Sequence, residues 1–169
     1  MISPQLLAEI RSGFALPLDG IHGEAHWTRV HENGQRLARK TGADLQILEL
    51  FAYLHDSERR DDGWDQLHGL RAAEFVKSLQ GSLLFLPDDK LDCLIYACAH
   101  HSDGLTEANI TVQTCWDADR LDLGRIQVEP DPRYLCTPAA RDPAMIEWAF
   151  RRSCETVYRV AWQDPEDPT

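Results

Sequence analysis

Apolar residues recur along this chain at three- and four-residue spacing, and nowhere do they alternate as in a half-buried strand. The pattern predicts an all-α protein with helices over about residues 4–11, 22–40, 44–55, 65–79, 87–101, 111–123 and 145–162. The punctuation agrees. Ser3-Pro4 reads as a cap followed by a first-turn proline, and Gly42, Gly81 and Gly124 stand where three of the helices stop. Between helices lie a charged turn at 57–64, a loop around Gly104 at 102–109, and a stretch at 127–138 made irregular by Pro130, Pro132 and Pro138. No repeat, low-complexity run or composition shift marks a boundary. A single domain over 1–169 is expected, ending in a frayed tail at 163–169.

A helix turns about 100° per residue, so positions i, i+3, i+4 and i+7 share a face. On the third helix Leu48, Phe51 and Ala52 form an apolar stripe, and His55 is its next member, followed by Asp56. On the fourth, His68 opens a stripe continued by Ala72, Phe75 and Leu79. On the sixth, Asp119 falls within the stripe of Val112, Cys115, Trp116 and Leu123, while Asp117 points elsewhere. On the second, His22 and His26 share a face with Arg29, Val30, Asn33 and Leu37, and His31 lies far round. On the fifth, Leu91, Leu94, Ile95 and Cys98 define the buried side; His101 is at its edge and His100 nearly opposite.

Each of these residues alone has an ordinary explanation. A core histidine is usually a hydrogen-bonded packing residue, and Asp119 could pair with Arg29 or Arg71. Together they need a common reason, because a buried carboxylate without a partner costs several kcal/mol, in order of magnitude. A bound cation removes that cost for a whole cluster of carboxylates and imidazoles. A set this rich in imidazole favours one or two ions of Mn, Fe, Co, Ni or Zn over Mg.

Composition narrows the partners. Lys plus Arg is 17 and Asp plus Glu 28, a formal net charge of -11. Such a surface repels nucleic-acid polymers and anionic membranes, yet it leaves room for a small phosphorylated ligand held by local cations. The five cysteines are odd in number and none pair at C-x-x-C spacing, so a reduced, cytoplasmic setting is expected. MISPQLLAEIRSG has no basic region followed by an apolar core, and no uncharged apolar run approaches membrane length.

Read in order, the polar residues are His26 in HWTRV, His55-Asp56 in FAYLHDSERR, His68 in LHGLRAA, His100-His101 in CAHHSDG and Asp119 in DADRLDLG. This series resembles the HD-domain superfamily of metal-dependent phosphohydrolases, over about residues 20–125. It is similar above all to small single-domain bacterial members with an HDS doublet and a DADRLD segment. The resemblance implies an all-α fold with the site between helices. His26, His55, Asp56 and Asp119 would hold one ion. Asp56 would bridge to a second, held by His68 and by His100, His101 or both. His22, one turn before His26, matches a further ligand in some multi-metal relatives. Arg59 stands where one nucleotidase-type branch has glutamate and where cyclic-dinucleotide-cleaving relatives often have a phosphate-contacting lysine. The GYP signature of that second branch is absent after His101, where SDGLTEA stands.

The activity so implied is hydrolysis of a small phosphate ester, a nucleotide or other phosphorylated metabolite, with Asp56 and Arg59 at the reacting centre. Arg59 is the first choice to clamp phosphate, followed by Arg29, Arg71 and Arg120. Trp27, Trp64 and Trp116 are candidates to stack on a base, Trp116 being better suited to the core. The same ligands suit a di-iron oxygenase on this fold, or a sensor binding nucleotide and metal without turnover. A homo-oligomer is open.

Overall fold

The structure is a computed structural model that describes residues 2–161, with side chains as far as residue 154. Among these it has seven α-helices: α1 Pro4–Gly13, α2 Glu24–Thr41, α3 Leu45–Leu54, α4 His68–Leu79, α5 Asp88–His100, α6 Ile110–Arg120 and α7 Pro143–Ala161. There is no strand among the described residues, only an isolated bridge between Gln80 and Leu84. The expected end of the last helix at Trp162 and the frayed tail lie outside the described residues.

Side-chain caps set several starts. Ser3 accepts from the Leu6 N–H, Asp44 from those of Gln46 and Ile47, and Asn109 from those of Thr111 and Val112. Gly42 ends α2 at φ 74°, a left-handed conformation that glycine adopts without a Cβ penalty.

Among the boundaries that differ from the periodicity, three lie next to candidate site residues. α2 begins at Glu24, not 22, because Gly23 passes so close to the preceding turn that a Cβ there would lie 2.0 Å from the Leu18 carbonyl oxygen. α4 begins at His68, not 65. Asp65 is held in a turn, its carboxylate accepting from the Arg60 N–H and from Arg71. α6 stops at Arg120, and the chain tightens into a 3-10 turn at Leu123–Ile126.

α2 packs on α3 and α6, α4 packs on α5, and α7 covers α2 and the 3-10 turn. Phe51, Leu54, Leu94 and Leu121 are fully buried between them. Burying each of them contributes about 1.5–3 kcal/mol relative to exposure. Polar ties fix the helices in register. Asn33 Nδ2 donates to the Ala118 carbonyl (2.9 Å), joining α2 to α6, and Trp116 Nε1 donates to the Ala97 carbonyl (3.0 Å), joining α6 to α5. Asp117, directed away from the Asp119 face, accepts from the N–H groups of Cys136 and Thr137 and so anchors the proline-rich segment. All five cysteines are free. No helix among the described residues is long and apolar enough to cross a membrane.

Candidate metal centre

The ends and faces of five helices converge on one buried cluster. His26 comes from the first turns of α2, and His55 and Asp56 follow the last turn of α3. His68 opens α4, His101 caps α5, and Asp119 lies in the last turn of α6. All are buried except Asp119, which is half-buried.

Each imidazole is held from its far side. His55 Nδ1 donates to the Phe51 carbonyl (3.0 Å), His101 Nδ1 to the Cys98 carbonyl (2.7 Å), and His68 Nδ1 to the Asp65 carbonyl. A carbonyl only accepts, so Nδ1 carries the proton in these rings and Nε2 turns a lone pair inward. His26 Nδ1 donates to Asp122 Oδ2 (2.7 Å) and is oriented in the same way. The inward nitrogens then crowd together: His26 Nε2 is 3.1 Å from His55 Nε2, and His68 Nε2 is 2.8 Å from His101 Nε2.

Carboxylates complete two groups. Asp119 Oδ1 lies 3.5 Å from His26 Nε2 and 3.7 Å from His55 Nε2. Asp56 Oδ2 lies 3.7 and 3.6 Å from the same two nitrogens. The other oxygen, Asp56 Oδ1, is 3.3 Å from His68 Nε2 and 3.5 Å from His101 Nε2. Asp56 thus divides its oxygens between an inner group (His26, His55, Asp119) and an outer group (His68, His101). Ligand atoms of His26, His55 and Asp119, and likewise of His55, Asp56 and His101, all lie within 4.8 Å of one another. Converging lone pairs and carboxylate oxygens of this kind fit a divalent transition-metal ion, which replaces mutual repulsion by coordination.

The electrostatics favour the ligating forms of His26, His55, His68 and Asp56. Burial lowers the pKa of His26 and His55, and burial with the neighbouring His101 brings His68 to about 4, so these rings stay neutral. Burial acts to raise Asp56, but His55, His101 and His26 outweigh it and hold the carboxyl well below its usual range. Burial also pushes His101 down, yet the Asp56 carboxylate more than offsets it and raises the ring.

No family model matches the chain, and no curated protein matches it. Among solved structures it is similar to a predicted HD superfamily hydrolase from an uncultured Thermotogales bacterium, with 28% sequence identity and a TM-score of 0.67. The match covers 93% of this chain and 90% of that one. The chain has an HD-domain fold.

Within this HD domain the residues singled out in the sequence have separate fates. Of the histidine doublet only His101 turns inward. His100 is half-exposed, its Nδ1 bonded to Asp103 Oδ2 (2.7 Å) and its ring 4.6 Å from that of Tyr96, so its place as a candidate ligand is corrected. The reason is helical phase: His101 keeps αR geometry at the edge of the buried face, and the preceding residue falls outside it. His22 sits in the turn before α2 and not on its face. It is buried, with Nδ1 bonded to Asp62 Oδ1 (2.7 Å), and its ring centroid is 6.1 Å from that of His26. It stands one layer out from the cluster.

Three arginines expected at the substrate instead hold the scaffold. Arg29 grips Asp122 through Nε (2.6 Å) and Nη2 (3.0 Å). Arg71 donates to the Glu58 carbonyl and to Asp65. Arg120 donates to the carbonyls of Leu105 and Tyr134. Arg59 differs: its Nη1 lies 3.4 Å from Asp56 Oδ1 and 3.2 Å from His68 Nε2. Trp27 and Trp116 are fully buried, and Trp64 is exposed.

Sequence reasoning missed Asp122, which orients His26, and Arg125, which donates to the Asp122 carbonyl (3.2 Å) and further lowers His26. The signal for Asp122 was there: it is at i+3 from Asp119. Gly69 was missed too. α4 and α5 approach so closely there that a Cβ would lie 2.8 Å from the Cys98 carbonyl oxygen and 2.9 Å from that of Ala99. Glycine lets His68 and His101 meet.

Proposed function

We propose that this HD-domain protein is a metal-dependent phosphohydrolase acting on a small phosphate ester. The division of the Asp56 oxygens between two pairs of imidazole nitrogens, with the Arg59 guanidinium alongside, carries the proposal. The solved neighbour, itself a predicted hydrolase, supports it.

The inner residues His26, His55, Asp56 and Asp119 would hold one divalent ion, and Asp56, His68 and His101 a second. When bound, such ions supply Lewis acidity to water and to a phosphoryl oxygen. The rest falls to the protein's own side chains. The Nδ1–H bonds fix each ring before substrate arrives, so little reorganisation is needed. Arg59 is also fixed in advance: Nε donates to the Asp61 carbonyl (3.0 Å) and Nη2 to the Gly63 carbonyl (3.1 Å), leaving Nη1 beside Asp56 and His68. A phosphate in that position meets a rigid guanidinium that binds its oxygens and offsets charge as the leaving group departs. In a chain of net charge -11 this local cation selects a small phosphate while the surface repels polymers.

Metal analysis of the purified protein, coupled to a phosphate-ester panel across Mn, Fe, Co, Ni and Zn, tests the proposal. Phosphate release that requires metal is expected, and Arg59→Ala should weaken substrate binding roughly 10- to 100-fold. Oxygen consumption with substrate oxidation and no phosphate release would replace the proposal with the oxygenase. Tight nucleotide binding with no product under any metal would replace it with the sensor.

A further inference from the structure

Trp64 has the highest exposure of any large hydrophobic side chain among the described residues, at 86%. Its turn is nonetheless firmly pinned on both sides. Before it, the Gly63 N–H donates to Asp61 Oδ1 (2.6 Å) and the Gly63 carbonyl accepts from Arg59 Nη2 (3.1 Å). After it, Asp65 Oδ2 accepts from the Arg60 N–H (2.8 Å) and from Arg71 Nη2 (2.5 Å). An indole held out in water on a fixed turn forfeits the burial such a side chain normally gains.

Its surroundings supply a use for it. Trp64 lines a cavity of about 480 Å³ together with Arg59, Gln66, His68, Ser102 and Asp103. That volume lies in the range of small-molecule sites. His68 belongs to the outer group of the metal centre, so one residue of that group forms part of the cavity wall. The guanidinium that holds Gly63 is the one that faces Asp56 and His68. The indole and the phosphate-facing cation are therefore two ends of one hydrogen-bonded turn. At the rim, Gln66, Ser102 and Asp103 offer both donors and acceptors of the kind that meet the polar edge of a base.

Building on the phosphohydrolase proposal, we infer that Trp64 is the specificity-determining residue of this site: it stacks on a planar base whose phosphate lies at Arg59, making nucleoside monophosphates the substrate class. Sugar and polyol phosphates have the group that Arg59 binds but no flat ring for the indole.

Two measurements on the metal-loaded full-length protein test this. Calorimetric titration with adenosine, which has no phosphate ester to hydrolyse, reads stacking alone. Trp64→Ala should weaken it roughly five- to hundred-fold, and Trp64→Phe should restore most of the loss. The kinetic reading is the ratio of kcat/KM for adenosine 5′-monophosphate over ribose 5-phosphate. It should be well above one in the wild type and fall by a similar factor in Trp64→Ala. Because the side chain is exposed, an unchanged melting temperature verifies that the variant is folded. Equal losses for both esters, or a Phe variant as poor as the Ala variant, overturn the stacking role. So does a wild-type ratio near one, and that outcome leaves the hydrolase proposal standing. Hydrolysis of other esters of the panel but not of adenosine 5′-monophosphate also overturns the inference. If the wild type hydrolyses no ester of the panel with any metal, the hydrolase proposal fails instead, and the adenosine titration still decides Trp64.

Discussion

His26 and His55 have no exposed surface, and the ring of His26 rests on Asp122, a carboxylate clamped in turn by Arg29. His68 and His101 rest on backbone carbonyls of neighbouring residues, Asp65 and Cys98, and His68 forms part of a cavity wall beside Arg59. Of the inner rings His26 is oriented by a carboxylate, while His55, like both outer rings, is oriented by a carbonyl of its own helix end; of the outer pair, His68 faces the space a substrate would enter. A carboxylate behind an imidazole raises its basicity as well as fixing its direction. The inner group should therefore hold its ion more tightly, and the outer group should respond more to changes around the cavity.

The largest effect is expected where the two groups are joined. Asp56→Asn should lower metal content in both and reduce phosphate release by more than about 100-fold, with helix content by circular dichroism unchanged. Full metal content in that variant would show that Asp56 is not shared. Next come the separate ligands. His68→Ala should keep about one equivalent of metal, the inner one, whereas His26→Ala should lose the tighter ion; identical stoichiometry and affinity in the two variants would erase the distinction between the groups. Asp122→Asn should weaken the inner ion about 10- to 100-fold in a chelator competition and lower the melting temperature, because a buried charge-assisted pair with Arg29 is weakened. An undiminished affinity would mean that the carboxylate behind His26 has no effect on ligation. Smallest is Gly69→Ala, which must push α4 from α5 against two backbone oxygens. About 1–3 kcal/mol should be lost in urea unfolding, and the outer ion should loosen with the inner one spared. Unchanged stability would show that the two helices can separate freely.

Much of this centre was legible along the chain. His55, His68 and Asp119 continue apolar stripes, and in regular helix a position in a stripe is a direction in space. The preference for Asp119 over Asp117 came from that phase, and the structure puts the second carboxylate on the proline-rich segment instead. At the doublet 100–101 phase did set His101 at the edge of the buried side and His100 nearly opposite, and the structure keeps that arrangement. Legibility failed at the start of α2: His22 shares a face with His26 only if the helix reaches it, and Gly23 breaks that helix. It failed also for arginines. Their long side chains reach any acceptor within several ångströms, so the partners of Arg29, Arg71 and Arg120 depended on what folding brought near.

By itself, the sequence determined the helices and the ionisable groups that each turned inward, because a 3.6-residue repeat is a property of one continuous segment. Only the tertiary structure decided which of those groups face one another, which stand behind as support, and which tryptophan remains in water at the mouth of the cavity. Those outcomes depend on contacts between segments. His26 and Asp122 are 96 residues apart along the chain and 2.7 Å apart across a hydrogen bond, and no local pattern encodes that distance.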